Sequence, residues 1–374
     1  MTEQESGGCE LTSRPRNWRS TRQLTVGVCA MAKKTRAAPM LRILHFLARS
    51  SCAQFRIEVF DERIVAEVPV EQWPLCDALI AFYSDGFPLD KAIAYVELRR
   101  PYCVNSVTDQ RLLFNRKRVY DVLMEHGVPV PRHLLLDHQT IDASAVRETD
   151  DYVEYGGVRV GKPFVEKPLD AEDHDVYIYY GRPSYGCRKL FRKTKHCSSV
   201  FDGSARRIRR QGAFLYEEYI PSDELYDIKV YAVGPTFAYA ERRKSPVVDG
   251  IVERNAAGKE VRCRIELTPA ERQAASVIPC AFKQFVCGFD LIRFGSGDRF
   301  VVHDVNGFSF VKGSDEYARE CGRILAEHLA AQVPPPATTA SDAAARTDLP
   351  PRPLVSSTLF SASATGGASG SDSS

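Results

Sequence analysis

The sequence predicts a parallel α/β region followed by an α+β region in which most strands are antiparallel. Three observations predict this order. Strand-like and helix-like runs alternate between about residues 23 and 105, strands dominate from about residue 106, and a hairpin near residues 289–313 precedes the last helix. A chain of 374 residues suits about two or three domains, or two domains with unfolded ends.

The N-terminal region, residues 23–105, contains four strand-like runs and two helix-like runs. In chain order they are the strand LTVGVCA, the helix APMLRILHFLARS, the strands FRIEVF and CDALIAFY, the helix LDKAIAYVELRR and the strand PYCVN. Ligands of such sheets bind beyond the carboxyl ends of the strands, and Lys33 and Lys34 lie just past the first strand. A solvated turn is the alternative interpretation of this pair.

The second region, residues 106–330, begins with the helix RKRVYDVLMEHG, which ends at Gly127. Its strands are PFVEK, VYIYY, KLFRK, AFLYEEY, DIKVYAV and TFAYAER. The run TPAERQAASVIPCAFKQF predicts a helix that Pro279 kinks or ends early. The hairpin follows, and SDEYARECGRILAEHLAAQ predicts a closing helix.

Both ends of the chain have compositions typical of disorder. Residues 1–22 lack apolar periodicity and predict a flexible leader. Residues 331–374 are rich in Pro, Ala, Ser, Thr and Gly and predict a low-complexity tail, because such a segment buries too little apolar surface to offset its ordering entropy.

Charge and cysteine content restrict the classes of partner and compartment. The net charge is only +2, so a nucleic-acid partner is not expected, but residues 186–244 carry 13 Lys and Arg against 7 Asp and Glu, which suits a small anionic ligand. The 11 cysteines form no CxxC pair and no apolar run approaches a membrane span, so we expect a cytosolic protein with free thiols. We also expect a monomer.

The hairpin carries acids where a buried strand rarely has them. Pairing centred on Gly297 would place Asp290 directly opposite Asp304, and Asn306 lies on the same face as Asp304. Two adjacent carboxylates repel unless a cation lies between them, and oxygen ligands with few His or Cys nearby suit Mg²⁺. The alternative is the exposed polar face of an ordinary hairpin.

Lysines and acids also end neighbouring strands. Glu166 and Lys167 close PFVEK, FLYEEYI carries Glu217 and Glu218, and Asp227 and Lys229 share one face of DIKVYAV. No GxxxxGK[ST] motif occurs, which excludes a P-loop. A lysine on one strand, acids on a second and a metal-binding hairpin on a third favour ATP held between two sheets. The run RRIRR at 206–210 predicts a solvated loop outside the site.

With these motifs, the chain resembles the kinase domain of the diphosphoinositol pentakisphosphate kinases, which has an ATP-grasp fold. The matching blocks are VGVCAMAKK, VPVEQWPLCDALIAFYSDGFPLDKAIAY, PFVEKPLDAEDHDVYIYY, KLFRK, YEEYIPSDELYDIKVYAVGP, AERRKSPVVDG, AFKQFVCGFDLIRF and HDVNGFSFVKGS. They occur in order from about residue 24 to residue 330.

The resemblance implies transfer of the γ-phosphoryl of ATP to the 1-phosphate of inositol hexakisphosphate or of a 5-diphosphoinositol. It implies ATP contacts from Arg116, Lys167, His174, Arg192, Glu217, Asp227 and Lys229. It implies acceptor contacts from Lys33, Lys34, Arg192, Lys193, Lys229, Arg243, Ser309 and Lys312. The implied magnesium ligands are Asp290, Asp304 and Asn306, and the residues nearest the chemistry are Lys229, Arg192, Asp290 and Asp304.

Two other functions stay open at this stage. The chain could be another ATP-grasp enzyme, such as a carboxylate–amine ligase, or a non-catalytic module that binds polyanions. No Arg-His-Gly signature occurs, so we expect no histidine-phosphatase activity from this chain.

Overall fold

The computed structural model describes residues 23–333, and its N-terminal layer is a four-stranded parallel sheet. The elements of this layer are β1 Gln23–Cys29, α1 Ala32–Thr35, α2 Ala38–Ala48, β2 Gln54–Val59, α3 Glu62–Glu67, β3 Ala78–Ala81, α4 Leu89–Arg99 and β4 Tyr102–Cys103. The strand order is β2-β1-β3-β4, and every adjacent pair is parallel. The α/β prediction for this region is confirmed.

The rest of the described chain contains fourteen strands in three antiparallel sheets, with three helices. The elements are α5 Arg116–Glu125, β5 His133–Asp137, β6 Arg147–Glu148, β7 Tyr152–Tyr155, β8 Val158–Gly161, β9 Phe164–Pro168, β10 Val176–Tyr180, β11 Gly186–Thr194, β12 Cys197–Asp202, β13 Ala213–Glu218, β14 Tyr226–Val233, β15 Phe237–Lys244, β16 Cys263–Ile265, α6 Pro269–Ala281, β17 Val286–Phe294, β18 Arg299–Asn306 and α7 Asp315–Gln332. Short 3-10 turns occupy Val70–Gln72, Thr108–Phe114 and Ala143–Ala145.

Two of these sheets are large enough to face each other across a site. The first has the strand order β12-β11-β10-β9-β13-β5, and the second has the order β16-β15-β14-β17-β18. Strands β6, β7 and β8 form the third, small sheet. A parallel α/β layer followed by antiparallel sheets is the fold class that the sequence predicts.

Helix α6 shows how local sequence sets an element. Thr268 caps its N-terminus and exchanges hydrogen bonds with Glu271 in a capping box, with Pro269 at the first helical position. The predicted run extended to Phe285, and Pro279 was expected to kink the helix or end it early. The helix ends at Ala281, two residues after Pro279, so the expected early end is confirmed.

The N-terminal layer and the five-stranded sheet share a hydrophobic core. Val26 and Val28 of β1 belong to the same buried cluster as Val286 of β17 and Leu325 of α7. The Phe82 and Phe308 rings stack across this junction with centroids 4.7 Å apart. Burial on this scale fixes the parallel sheet against the second region.

Hydrogen bonds from a buried pair of side-chain amides also hold this junction together. Asn105 donates from Nδ2 to Gln284 Oε1 at 3.0 Å and to the Val286 carbonyl at 2.7 Å. The Val286 N–H donates back to Asn105 Oδ1 at 2.9 Å, and Gln284 Nε2 donates to the Ser106 carbonyl at 2.9 Å. These bonds pin the end of the N-terminal layer to the start of β17. The domain boundary at residues 105–106 stays a prediction.

The segment 206–210 differs from its prediction as a solvated loop. Ile208 is buried, and Arg209 forms an ion pair from Nε to Glu166 Oε1 at 2.5 Å. Glu166 is fully buried and also accepts from Tyr216 Oη at 2.9 Å and from the Arg209 N–H at 3.1 Å. A buried carboxylate needs such partners, so this basic segment is part of the folded structure.

Other predictions concern the chain ends, thiols and membrane. None of the helices between residues 23 and 333 has the length and apolar character required to cross a bilayer. The ten cysteines in this range are free thiols. Helix α7 takes in the first two residues of the predicted tail, and the predicted leader and the rest of that tail lie outside the described residues.

The Arg209–Glu166 pair leads to a stability prediction. Arg209→Leu removes the cation and leaves a fully buried carboxylate without its ion pair, so the free energy of unfolding should fall by about 3 kcal/mol. Chemical denaturation measures this change. Arg207→Leu, at an exposed neighbouring position, is the control and should change stability by less than about 0.5 kcal/mol. Equal effects of the two substitutions would show that the pair has no structural role.

Candidate active site

A cavity of about 480 Å³ lies between the six-stranded and the five-stranded sheet. Lys167 of β9 and Val176 of β10 line one side of it, and Asp227 of β14 lines the other. Nine of the predicted site residues line this cavity: Arg116, Lys167, His174, Arg192, Lys193, Asp227, Arg243, Asp290 and Asp304. The structure therefore brings together residues that are separated by as much as half of the chain.

The hairpin of β17 and β18 contains a bulge that sets its acids opposite each other. Leu291 pairs with Val302, whereas Asp290 pairs with Asp304, so His303 is an extra residue in β18. Without this bulge, the register of the turn would place His303 opposite Asp290. The predicted opposition of the two carboxylates is confirmed, and the bulge is its cause.

Cations surround Asp290. Lys229 is its register partner on β14, and Lys229 Nζ lies 2.9 Å from Asp290 Oδ2. Burial favours the neutral acid, but the charges of Lys229, Arg243 and His303 outweigh it and lower the pKa of Asp290 to about 2. The buried carboxylate is therefore ionised at neutral pH.

The arrangement of oxygen atoms fits the predicted magnesium site. Asp290 Oδ1 is buried and has no hydrogen-bond partner within residues 23–333. Asn306 Nδ2 donates to Asp304 Oδ2 at 2.9 Å and lies 3.5 Å from Asp290 Oδ2, so a rotation of this amide would present its oxygen to the same point. Over the described range, no group of three or more His, Cys, Asp and Glu side chains could hold a metal ion. Two carboxylates and an amide suit Mg²⁺, which completes its shell with water and phosphate oxygens.

A buried polar network connects Lys167 to the hairpin. Lys167 Nζ lies 2.6 Å from Glu217 Oε1 and donates to the His303 carbonyl at 3.0 Å. The Tyr120 hydroxyl of α5 donates to Glu217 Oε2 and contacts the same carbonyl at 3.2 Å. Since His303 precedes Asp304, this network holds the lysine of one sheet beside the carboxylates of the other.

Arg116 and His174 lie at one end of the cavity. The Arg116 guanidinium donates to the carbonyls of Pro168 and Asp170, and to those of Ala171 and Asp173 at 3.2 Å. These bonds hold the loop that follows β9. That loop presents the exposed His174 ring to the cavity.

A smaller, mostly apolar cavity of about 110 Å³ adjoins the first one. It shares Lys167, Asp227 and His303 with the main cavity, and Glu217 lies in its wall. Its aliphatic lining comes from both sheets and their connections: Val165, Ile178, Leu190, Ile220, Val247 and Ile292. A narrow apolar slot next to a lysine suits a flat aromatic ring that is attached to a charged group.

Arg192 and Lys193 both line the main cavity although they are neighbours on one strand. Side chains normally alternate between faces, but the pairing of β11 with β12 shifts register between Leu190 and Thr194. This irregularity lets both cations face the same space. Lys193 forms an ion pair with Glu260, and Arg243 Nε lies 4.0 Å from Asp227 Oδ2.

Five predicted acceptor residues lie outside the lining of the main cavity. Lys33 and Lys34 are on α1, Lys229 is on β14, and Lys312 and Ser309 follow β18. Burial lowers the pKa of Lys34, and the charges of Lys312, Lys33 and Arg192 lower it further, whereas Glu172 raises it. Cations from three separate segments therefore come close enough to repel one another. We call Lys33, Lys34, Arg192 and Lys312 the cation wall.

Gly288 permits the close approach of the segment that carries Ser309. Gly288 pairs with Asn306 in the hairpin, and a Cβ atom at Gly288 would lie 2.8 Å from the Ser309 side chain. Any other residue would push Ser309 away from β17. Glycine at this position thus keeps Ser309 near the carboxylate pair.

Sequence comparisons identify relatives of this chain. The family model described as the diphosphoinositol pentakisphosphate kinase 2 N-terminal domain matches residues 24–115. An inositol hexakisphosphate and diphosphoinositol-pentakisphosphate kinase of Arabidopsis thaliana is 46% identical over 324 residues, covering 84% of this chain and 30% of the relative. The chain belongs to the diphosphoinositol pentakisphosphate kinase family. The predicted family resemblance is confirmed.

Other members of the diphosphoinositol pentakisphosphate kinase family match over similar spans. The human kinase 2 is 45% identical over 317 residues, and the kinase of Saccharomyces cerevisiae is 42% identical over 323 residues. The matches cover 84% and 80% of this chain but only 25% and 28% of these two relatives. The chain therefore spans about a quarter to a third of the length of the relatives it matches.

Solved structures of ATP-grasp enzymes match more weakly. The ligase PsnB with its minimal precursor aligns with a TM-score of 0.49 and 14% identity, covering 82% of this chain and 99% of that one. The D-alanine–D-alanine ligase of Bacillus anthracis aligns with a TM-score of 0.47 and 11% identity, covering 83% and 97%. These likenesses are too weak to bear on function.

Three residues of the site were not predicted from the sequence. Tyr120 lies in an amphipathic helix and its position indicates only a core residue. His303 enters the cavity through a bulge, and Glu260 lies in a stretch with no strand pattern. A carboxylate just before a basic strand was the only available signal for Glu260, and it is a weak one.

The Tyr120 network leads to a second stability prediction. Tyr120→Phe removes the hydroxyl that bonds Glu217 and the His303 carbonyl, so the free energy of unfolding should fall by about 1–3 kcal/mol. Denaturant titration measures the change. Tyr152→Phe is the control, because Tyr152 contacts Arg159 and Arg147 through its ring. A Tyr120→Phe protein as stable as the parent would contradict the role assigned to this hydroxyl.

Proposed function

We propose that this chain is a kinase that transfers the γ-phosphoryl of ATP to the 1-phosphate of inositol hexakisphosphate or of 5-diphosphoinositol pentakisphosphate. The observation that carries the proposal is that Arg192, Lys193 and Arg243 line the same cavity as the paired carboxylates of Asp290 and Asp304. Cations held close together against their mutual repulsion suit a ligand with several phosphates. The names of the relatives support the same reaction.

The nucleotide would lie between the two large sheets. The apolar slot accommodates the adenine ring, and the backbone from Glu217 to Ile220 forms its edge. Lys167, held by Glu217, then reaches the phosphates, as do Arg116 and His174 at the end of the main cavity. This assignment uses four of the ATP-binding residues that the resemblance implied, and a fifth, Asp227, lines both cavities.

Asp290, Asp304 and Asn306 would hold Mg²⁺ at the inner end of the cavity. When bound, the ion neutralises negative charge on the phosphoryl group that is being transferred. Lys229 holds Asp290 in its ionised form. The buried Asp290 Oδ1, which has no hydrogen-bond partner among residues 23–333, supports this placement of the ion.

The acceptor would lie against the cation wall, with Lys193, Arg243 and Ser309 also within its reach. An acceptor phosphate oxygen forms the new bond to the γ-phosphorus, the bond from that phosphorus to the bridging oxygen of ADP breaks, and a diphosphate results. The attacking oxygen is already ionised at neutral pH, so no general base is required. Lys229 and Arg192 stabilise the charge that shifts from acceptor to ADP.

The two alternative functions are a carboxylate–amine ligase of the same fold and a non-catalytic polyanion-binding module. A ligase needs a pocket for an amine and an acyl phosphate, with fewer basic residues around the acceptor than the cation wall supplies. A binding module needs no ionised carboxylate pair in its site, since these acids repel a polyanion. A cytosolic location and a monomeric state stay predictions of the sequence.

Product formation tests the kinase proposal directly. Purified protein with Mg-ATP and inositol hexakisphosphate should yield ADP and a more anionic product with a phosphorus resonance typical of a diphosphate. The same reaction with the 5-diphosphoinositol acceptor shows which substrate is preferred. If no such product forms at any magnesium concentration, the protein is not this kinase.

The carboxylate pair gives a separate prediction. Asp304→Ala removes one magnesium ligand and should lower turnover by at least about a hundredfold, or ~2.7 kcal/mol of barrier. Steady-state kinetics at saturating ATP measures this loss. Asp298→Ala, in the exposed turn of the same hairpin, is the matched control and should keep the parent rate. Normal turnover of the Asp304→Ala protein would rule out the metal assignment.

A further inference from the structure

Glu260 places a negative charge inside the predicted acceptor site. Its carboxylate pairs with Lys193 and accepts from Arg262 Nη2 at 2.9 Å. Arg243 adds a third positive charge, because it lines the same cavity as Glu260 and Lys193. Glu260 itself lines the main cavity, with 17% of its side chain exposed. Two of these three cations, Lys193 and Arg243, are acceptor residues under the proposed function.

A carboxylate surrounded by three cations occupies the kind of position that a phosphate group would take. Carboxylate and phosphate oxygens accept the same charge-assisted hydrogen bonds from Lys and Arg. Arg262 Nε also donates to Glu260 Oε2 at 3.2 Å, and Arg262 Nη1 contacts Glu241 Oε2 at 3.4 Å and the Tyr231 hydroxyl at 3.0 Å. Arg262 thus holds Glu260 through two donors, and Lys193 is the partner that can be exchanged.

We propose that Glu260 competes with the acceptor phosphate for Lys193 and thereby sets how strongly the site binds a polyphosphate. This inference rests on the proposed function. With no acceptor bound, Glu260 neutralises Lys193. When the acceptor binds, one of its phosphates forms an ion pair with Lys193, and Glu260 stays paired only with Arg262.

The geometry permits this exchange. The Lys193 side chain is 33% exposed and has four flexible methylene groups, so its ammonium can leave Glu260 without movement of β11. Glu260 is anchored through the bridge between its backbone and that of Arg254, so the carboxylate stays near the site after the exchange. It then repels the bound polyanion, which weakens binding and speeds product release.

If Glu260 helped the acceptor to bind, its removal would change the affinity in the opposite direction. If Glu260 served to hold Lys193 ready for the acceptor, its removal would weaken binding, because an ordered cation binds better than a free one. If Glu260 competes, its removal strengthens binding. The sign of the change in affinity therefore decides between the two roles.

The experiment measures inositol hexakisphosphate binding by calorimetry for the parent protein and for Glu260→Gln. We expect the dissociation constant of Glu260→Gln to fall about five- to tenfold, with a lower KM and no increase in kcat. Glu266→Gln makes the same charge change on an exposed residue outside the cavity lining and should bind as the parent does. Unchanged or weaker binding by Glu260→Gln would overturn the inference.

A double-mutant cycle with Lys193→Met shows whether the two residues act through each other. The loss of affinity caused by Lys193→Met should be at least about threefold larger in the Glu260→Gln background, because Lys193 is then fully available to the ligand. Equal losses in both backgrounds would mean that Glu260 does not compete for Lys193. Glu260→Ala provides a second variant if Glu260→Gln fails to fold, since Arg262 keeps Glu241 and Tyr231 as partners.

Turnover in the same samples separates this inference from the proposed function. A parent protein that binds inositol hexakisphosphate but makes no product contradicts the kinase proposal and leaves the affinity comparison valid. A parent protein that makes product while Glu260→Gln binds no more tightly contradicts only the role of Glu260. If neither protein binds this probe, both proposals are wrong.

Discussion

The site depends on keeping the buried carboxylate of Asp290 ionised. Asp290 is the register partner of Asp304, and burial alone would favour a proton on Asp290. Lys229 on the next strand and Arg243 beyond it supply the opposing charge. Most other polar contacts around the cavity follow from the need for these cations, because each cation in turn needs an acidic partner or an anionic ligand.

The lysines of the site differ in whether a carboxylate of the protein neutralises them. At the carboxylate end, Lys229 contacts Asp290 and Lys167 contacts Glu217, so these cations are neutralised by the protein itself. Lys193 is likewise neutralised by Glu260, whereas the charged groups that act on Lys34 are mainly other cations. Positive charge that the protein does not balance is therefore found among the residues proposed for the acceptor, which suits a ligand more highly charged than ATP.

The sequence predicted the fold class, most element positions and the opposition of Asp290 to Asp304, because periodicity and strand pairing are local properties. It did not predict the two register shifts that bring His303, Arg192 and Lys193 into the cavity. Bulges depend on tertiary packing more than on any local pattern. The same reason explains the difference at segment 206–210, where Arg209 is ordered by a buried acid 43 residues away.

The Asn105 and Gln284 amides join the N-terminal layer to the first residue of β17. Lys33 and Lys34 belong to that layer, and Asp290 lies four residues along β17. Lys167 and Arg192 belong to the six-stranded sheet opposite, which these amide bonds do not include. The amides therefore tie the segment that carries the lysines to the strand that carries the acid, and the six-stranded sheet joins them through separate contacts such as the bond from Lys167 to the His303 carbonyl.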